Sequence, residues 1–220
     1  MLPLATSMDH VGPMTRTVRD NALMLQAMAG HDPQDPHSAD EPVPAFDRLI
    51  GSPIRGMRIG VPRRFLASLP HTPDCAAAFD DALRVLRDRG AETIDIDVPG
   101  LAESGDIGMR IIIAEAWAVH REGMTAHPEL YDVSLKTRLA PAPAITEAAL
   151  AEAHAARRAL QAEYAKLFAA GIDVIASTGR EGESDSMAEL MSDTTGKRGG
   201  CTRMYNVARL PALVLPMGFG

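Results

Sequence analysis

Between Met57 and Val98 the chain spells out a strand, a helix and a second strand, and no other feature constrains its fold as much. Met57-Arg-Ile-Gly-Val61 is a short apolar run stopped by Pro62, the pattern of a buried strand. Thr72-Pro73 opens a helix: a side-chain oxygen for the cap, then proline at the first helical position. The inner face of that helix is Cys75, Ala78, Phe79, Ala82, Leu83 and Leu86, and Gly90 stops it. Glu92-Thr-Ile-Asp-Ile-Asp-Val98 then alternates. Ile94, Ile96 and Val98 fall on one face, and Thr93, Asp95 and Asp97 on the other. A helix with one apolar stripe between two strands is a βαβ-like unit, the mark of an α/β layered fold.

The flanking stretches extend the pattern. Pro3 and Gly12-Pro13 keep the opening residues out of a continuous helix. Thr17 can cap a helix buried through Val18, Ala22, Leu25, Met28 and Ala29, with Asp20 as a weak capping-box partner and Gly30 ending the periodicity. Asp32 to Pro44 is a Pro/Asp-rich surface connector. Leu101 to about Ala126 reads as a helix with Ile111, Ile112, Ile113, Ala116, Trp117 and Val119 inside; a break at Gly105 or Gly108 stays open. Pro128 and Pro141-Ala-Pro143 bracket a short segment carrying Lys136 and Arg138. Thr146 caps an alanine-rich helix to about Phe168, closed by Gly171. Ile172-Asp-Val-Ile-Ala176 is a strand. Ser177 to Gly200 is mostly loop, with a helical turn open at Met187 to Met191. Arg203 to Val207 is a turn of helix, and Leu210-Pro-Ala-Leu-Val-Leu215 a central strand.

Several functions are excluded or disfavoured. The net charge is −7 and the arginines form no stripe, which argues against a nucleic-acid-binding domain. No apolar run approaches the ~20 residues of a membrane span, and the N-terminus lacks a signal-peptide pattern. Cys75 and Cys201 read as two reduced thiols of a cytoplasmic protein. No two of the seven histidines have the i, i+4 spacing of a helical zinc site. Thr195-Gly-Lys-Arg-Gly-Gly200 fails as a phosphate loop: Met191 and Arg198 stand where it needs glycine and Ser/Thr.

The order of motifs adds what periodicity does not. Leu4-Ala-Thr-Ser-Met-Asp-His-Val-Gly-Pro-Met-Thr-Arg-Thr-Val18, Gly56-Met-Arg-Ile-Gly-Val-Pro62, Ala114-Glu-Ala116 and Asn206-Val-Ala-Arg-Leu-Pro-Ala-Leu-Val-Leu-Pro-Met-Gly-Phe219 follow one another as in the amidase signature family, which the whole chain resembles. The resemblance implies an α/β/α sandwich with a mixed sheet. It also implies hydrolysis of a small-molecule carboxamide by a lysine, a cis serine and a nucleophilic serine, without metal or organic cofactor. In the family these three groups lie upstream of the Leu-Pro-Leu-Ala segment. We therefore expect residues 1–220 to be one partial domain, incomplete at both ends, with no catalytic residue of its own and no activity alone. Ser7 and Asp9 are expected to be structural, Asp9 accepting backbone N–H groups in a turn.

In the transamidase branch an arginine matching Arg138 binds a substrate carboxylate, a task suited to a fork of donors. Against this, Arg138 sits between prolines on a segment that reads as solvated. Asn206 is expected in the core, satisfying buried backbone groups. Asp173-Val-Ile-Ala-Ser-Thr lacks the proline usual after such a strand, which puts inherited substrate preference in doubt. The partners expected are the amide and no nucleic acid or membrane, with a homodimer left open. The other readings are the A-type member of a glutamine-dependent transamidase, working on charged tRNA with partner subunits, and a non-catalytic remnant.

Overall fold

The computed structural model describes residues 3–35, 38–183, 186–188 and 201–218. They form two compact units, one of residues 1–9 and 55–220, the other of residues 10–54.

The larger unit is built on a three-stranded parallel sheet. Its strands are β1 (Arg58–Val61), β2 (Glu92–Asp95) and β3 (Val174–Ile175), in the order β2-β1-β3. Arg58 pairs with Glu92, Val61 with Asp95, and Ile59 with Val174. The α/β class stands, and the described strands all run parallel. The alternating stretch is strand only to Asp95, but Ile96 and Val98 beyond it are buried as the alternation requires. Gly60 in the middle strand is closely packed: a Cβ there would lie 3.0 Å from Ile96 Cδ1 and 3.2 Å from Ile172 Cγ2, so a larger residue would need those side chains to shift.

Helices cover the sheet on both sides. α2 (Arg63–Leu66) and α3 (Pro73–Asp88) join Val61 and Cys201 in one cluster through Leu66, Phe79 and Leu83. Thr72 caps α3 as expected, its hydroxyl accepting from Cys75 N. Gly90, at φ +92°, ends the helix in the left-handed region that other residues avoid. The second cluster joins Ile96, Val98 and Ile172 to α4 (Ser104–Ala126), α6 (Glu147–Ala169) and α7 (Arg203–Ala208). Between α4 and α6 lies α5 (Val133–Leu139), capped by Asp132. Thr146 caps α6. At the other end of α6, the Arg58 guanidinium donates to the Ala170 and Gly171 carbonyls, which satisfies acceptors that a helix end leaves free.

Two expectations are corrected, Val119 as a buried residue and Leu210–Leu215 as a strand. α4 is unbroken through Gly105 and Gly108, and its Val119 is exposed while His120 is buried. The strand expected at Leu210–Leu215 is irregular chain outside any sheet, with Leu213, Val214 and Leu215 exposed at 58%, 78% and 56%. A ladder needs a neighbour to hydrogen-bond, and no described strand lies beside it. The turn expected at Met187–Met191 falls largely outside the described residues, as does Thr195–Gly200.

The smaller unit contains α1 (Val18–Met28), capped by Thr17, whose Oγ accepts from Asp20 N at 3.1 Å. Asn21 donates to Pro13 O, and Gln26 accepts from Phe46 N. Of the face expected to be buried only Ala22 is; Leu25 and Ala29 are half-buried, Val18 and Met28 exposed. A unit this short cannot bury a whole stripe by itself.

Tyr164 of α6 carries a pH prediction. Burial, helped by the Tyr205 phenol, pushes its phenol well above the ordinary 10.0. A raised folded-state pKa stabilises fully below the unfolded value and is lost as pH climbs through the folded one. Tyr164→Phe should keep stability at pH 7 within about 1 kcal/mol and move the alkaline unfolding midpoint upward. Far-UV circular dichroism during a base titration reads it; an unmoved midpoint refutes it.

Candidate functional site

The densest polar cluster gathers around the opening segment, residues 3–9. Asp9 folds this segment into a turn: its carboxylate accepts from Leu4 N at 2.9 Å and from Ala5 N. Asp9 therefore does the structural work its position suggested.

Ser7 is the hub. Its N–H donates to Glu115 Oε2 at 2.9 Å, and its hydroxyl to Glu115 Oε1 at 2.5 Å. Arg157 donates from Nη1 to Ser7 Oγ at 2.6 Å, from Nη2 to Ser7 O at 2.5 Å, and from Nε to Val207 O at 2.9 Å. One serine thus bridges a carboxylate on α4 and a guanidinium on α6, and the same guanidinium ties in α7. Arg157 is 5% exposed. Burial and the nearby Arg209 lower its pKa, and the Glu115 carboxylate opposes them. Asn206 of α7 donates to Met8 O at 3.0 Å, the backbone-satisfying role expected of it. His120 meets Pro3 O at 3.0 Å and packs edge-on against Tyr131.

This arrangement anchors backbone and does not set up attack. A nucleophilic serine needs a lone pair aimed at substrate and a base to take its proton. The Ser7 hydroxyl does face a carboxylate, but its oxygen also accepts from a buried cation, which withdraws the electron pair that would react. Nor is a described lysine beside it. Of the described lysines, Lys136 donates to Pro128 O and Lys166 to Glu163. Arg138 lies in the last turn of α5 on an exposed face, outside this cluster.

A second polar group lies at the carboxyl edge of the sheet, where open α/β sheets usually bind ligands. Ser177 Oγ and Tyr205 Oη are 2.7 Å apart, and His71 Nε2 is 2.8 Å from Thr178 Oγ1. A cleft of about 280 Å³ opens there, with Arg63, His71, Phe79 and Thr178 in its lining. Among the described residues, no group of three or more His, Cys, Asp or Glu side chains is placed to hold a metal ion. No described helix is long and apolar enough to cross a membrane.

Arg157 was not singled out in the sequence, yet a signal was there. Ala153, Arg157, Leu160 and Tyr164 fall at i, i+4, i+7 and i+11, one stripe of α6, and all four are buried. An arginine inside an apolar stripe must have partners. Glu115 stands in the Ala-Glu-Ala motif but carried no assigned role.

A family model described as Amidase matches residues 1–220. The chain is 34% identical over 226 residues to an amidase of Pseudomonas putida, covering 98% of this chain and 48% of that protein. It is 32% identical over 251 residues to the A-type subunit of glutamyl-tRNA(Gln) amidotransferase from Roseiflexus castenholzii, covering 100% of this chain and 49% of the relative. Among solved structures, the corresponding glutamyl-tRNA(Gln) amidotransferase subunit of Thermotoga maritima superposes with a TM-score of 0.78 at 23% identity. That match covers 93% of this chain and 45% of the other, and at this identity it speaks to the fold. The chain spans about half the length of the curated relatives it matches.

Proposed function

The chain belongs to the amidase family, and from that premise we propose that the protein it represents hydrolyses a carboxamide to a carboxylate and ammonia. The family match along all 220 residues carries this reading. The chemistry proposed is acyl transfer. A lysine, acting through a cis serine, activates a nucleophilic serine; backbone N–H groups hold the oxyanion; water then cleaves the acyl-enzyme. In this reading none of the three reacting side chains comes from residues 1–220. Two observations agree with it: both described lysines are bonded away from any serine, and Ser7 is held between Glu115 and Arg157. The contribution of this chain is then scaffold: the sheet, its covering helices and the anchored opening segment.

The second reading is an A-type transamidase subunit, favoured by relatives of that name that align over the whole chain. Under it, Arg138 receives a substrate carboxylate. One experiment addresses both. The purified chain, its Arg138→Ala variant, and a longer polypeptide that contains it are assayed for ammonia release from aliphatic, aryl and amino-acid amides. The longer polypeptide should release ammonia and the chain alone none. Transfer to charged tRNA that appears only with partner subunits, and weakens with Arg138→Ala, selects the second reading. Turnover by the chain alone, abolished by substituting Ser7, overturns the scaffold role.

A further inference from the structure

Cys75 and Cys201 are both unbridged, the first half-buried and the second buried. They come from distant parts of the chain and meet one short stretch after β3. Cys75 Sγ donates to Arg180 O at 3.3 Å, and Cys201 Sγ lies 3.1 Å from Thr178 Oγ1. The two contacts are two residues apart, within about 7 Å of extended chain. A second line of geometry agrees. Cys201 packs in the cluster of Phe79, and Cys75 precedes Phe79 by four residues of α3, a rise of about 6 Å. Each thiol is also exposed to the same charge, that of Glu181.

The buried thiol has a route for its proton. Cys201 S–H can donate to Thr178 Oγ1, whose own hydrogen can pass to His71 Nε2 at 2.8 Å. His71 and Thr178 line the cleft of about 280 Å³ at the carboxyl edge of the sheet. A proton leaving Cys201 therefore reaches a half-exposed imidazole beside open solvent.

We infer that Cys75 and Cys201 are a reversible thiol–disulfide pair, oxidised by a hydroperoxide and closing α3 onto the turn that enters α7. In the first step the Cys75 thiolate attacks the peroxide. An S–O bond forms, the O–O bond breaks, sulfur is oxidised to sulfenic acid, and the peroxide is reduced with one water or alcohol leaving. In the second step Cys201 sulfur attacks Cys75 sulfur. The S–S bond forms, the S–O bond breaks and hydroxide leaves, while the Cys201 proton passes through Thr178 to His71 and on to solvent, where it completes the departing hydroxide as water. Two thiols and one peroxide give one disulfide and two leaving hydroxylic molecules. Burial, with the Glu181 carboxylate, pushes the Cys75 thiol above its ordinary range, so the first step is slow at neutral pH and quickens as pH rises.

The test uses the reduced 220-residue chain treated with hydrogen peroxide, then alkylated and digested without reductant for mass spectrometry. The expected product is a Cys75–Cys201 linked peptide, lost on adding dithiothreitol and absent from Cys75→Ser and Cys201→Ser. The oxidised protein should melt several degrees higher than the reduced one. Thr178→Val should slow linkage several-fold, with Cys75 sulfenic acid accumulating and trapped by dimedone. Cys75 oxidised to sulfinic acid with Cys201 untouched, disulfides only between two copies through Cys75, or two thiols still free would each overturn the pair.

Discussion

Arg157→Met should destabilise the larger unit by about 2–6 kcal/mol, because it removes a buried cation that donates to two backbone carbonyls. The reason is what stays behind. Glu115 loses the cation that faces it through Ser7. Ser7 O and Val207 O lose their donors in a site from which Arg157 excluded water. Unmet acceptors of this kind cost about 1–3 kcal/mol each. Domains of this size have about 5–15 kcal/mol in all, so the variant stands close to unfolding. Milder changes should rank below it. Glu115→Gln leaves one amide oxygen where two carboxylate oxygens received Ser7 N and Oγ, for about 1–2 kcal/mol. Arg157→Lys keeps charge but loses the fork that reaches Ser7 and Val207 together. Urea midpoints give the ranking, and a Ser7→Ala, Arg157→Met double cycle should show coupling of about 1 kcal/mol or more. Equal midpoints for Arg157→Met and wild type would show that the network holds nothing.

Local chemistry was legible where one residue type has one reason to be there. Thr72-Pro73 and Thr146 mark helix starts because the cap is a bond between neighbours, and both bonds form. Ile94 in β2, and Ile96 and Val98 just past its end, mark the inner face because an extended chain has a period of two. What could not be read was set by partners far away in sequence. Arg157 lies on the apolar stripe of α6, but the partner that explains it, Ser7, is 150 residues away and nothing local names it. Leu210–Leu215 shows the opposite failure. Its apolar run describes what would cover it, whereas a strand exists only when a neighbour completes the ladder. The opening motif was recognised by resemblance, but the physical reason for Ser7 appeared only once α4 and α6 were placed on either side of it.

Gly108→Val should cost about 3 kcal/mol by driving α7 off α4. A Cβ at this position would lie 2.8 Å from Arg203 Cδ and 2.8 Å from Val207 Cγ2. The arginine stem can swing, but Val207 is fully buried and its branched side chain has few rotamers. Helix α7 must therefore move, and with it Asn206 on Met8 O and the Val207 carbonyl on Arg157. Alanine is the informative control. It gains about 1 kcal/mol in helix propensity over glycine and makes the first clash without the further methyl groups, so Gly108→Ala should lie near neutral or slightly destabilising. Removing the obstacle should restore room: in the Gly108→Val, Val207→Ala pair the losses should fall short of their sum by about 1 kcal/mol or more. Purely additive losses would place the strain elsewhere, and a Gly108→Val protein as stable as wild type would mean that α4 and α7 do not approach this closely.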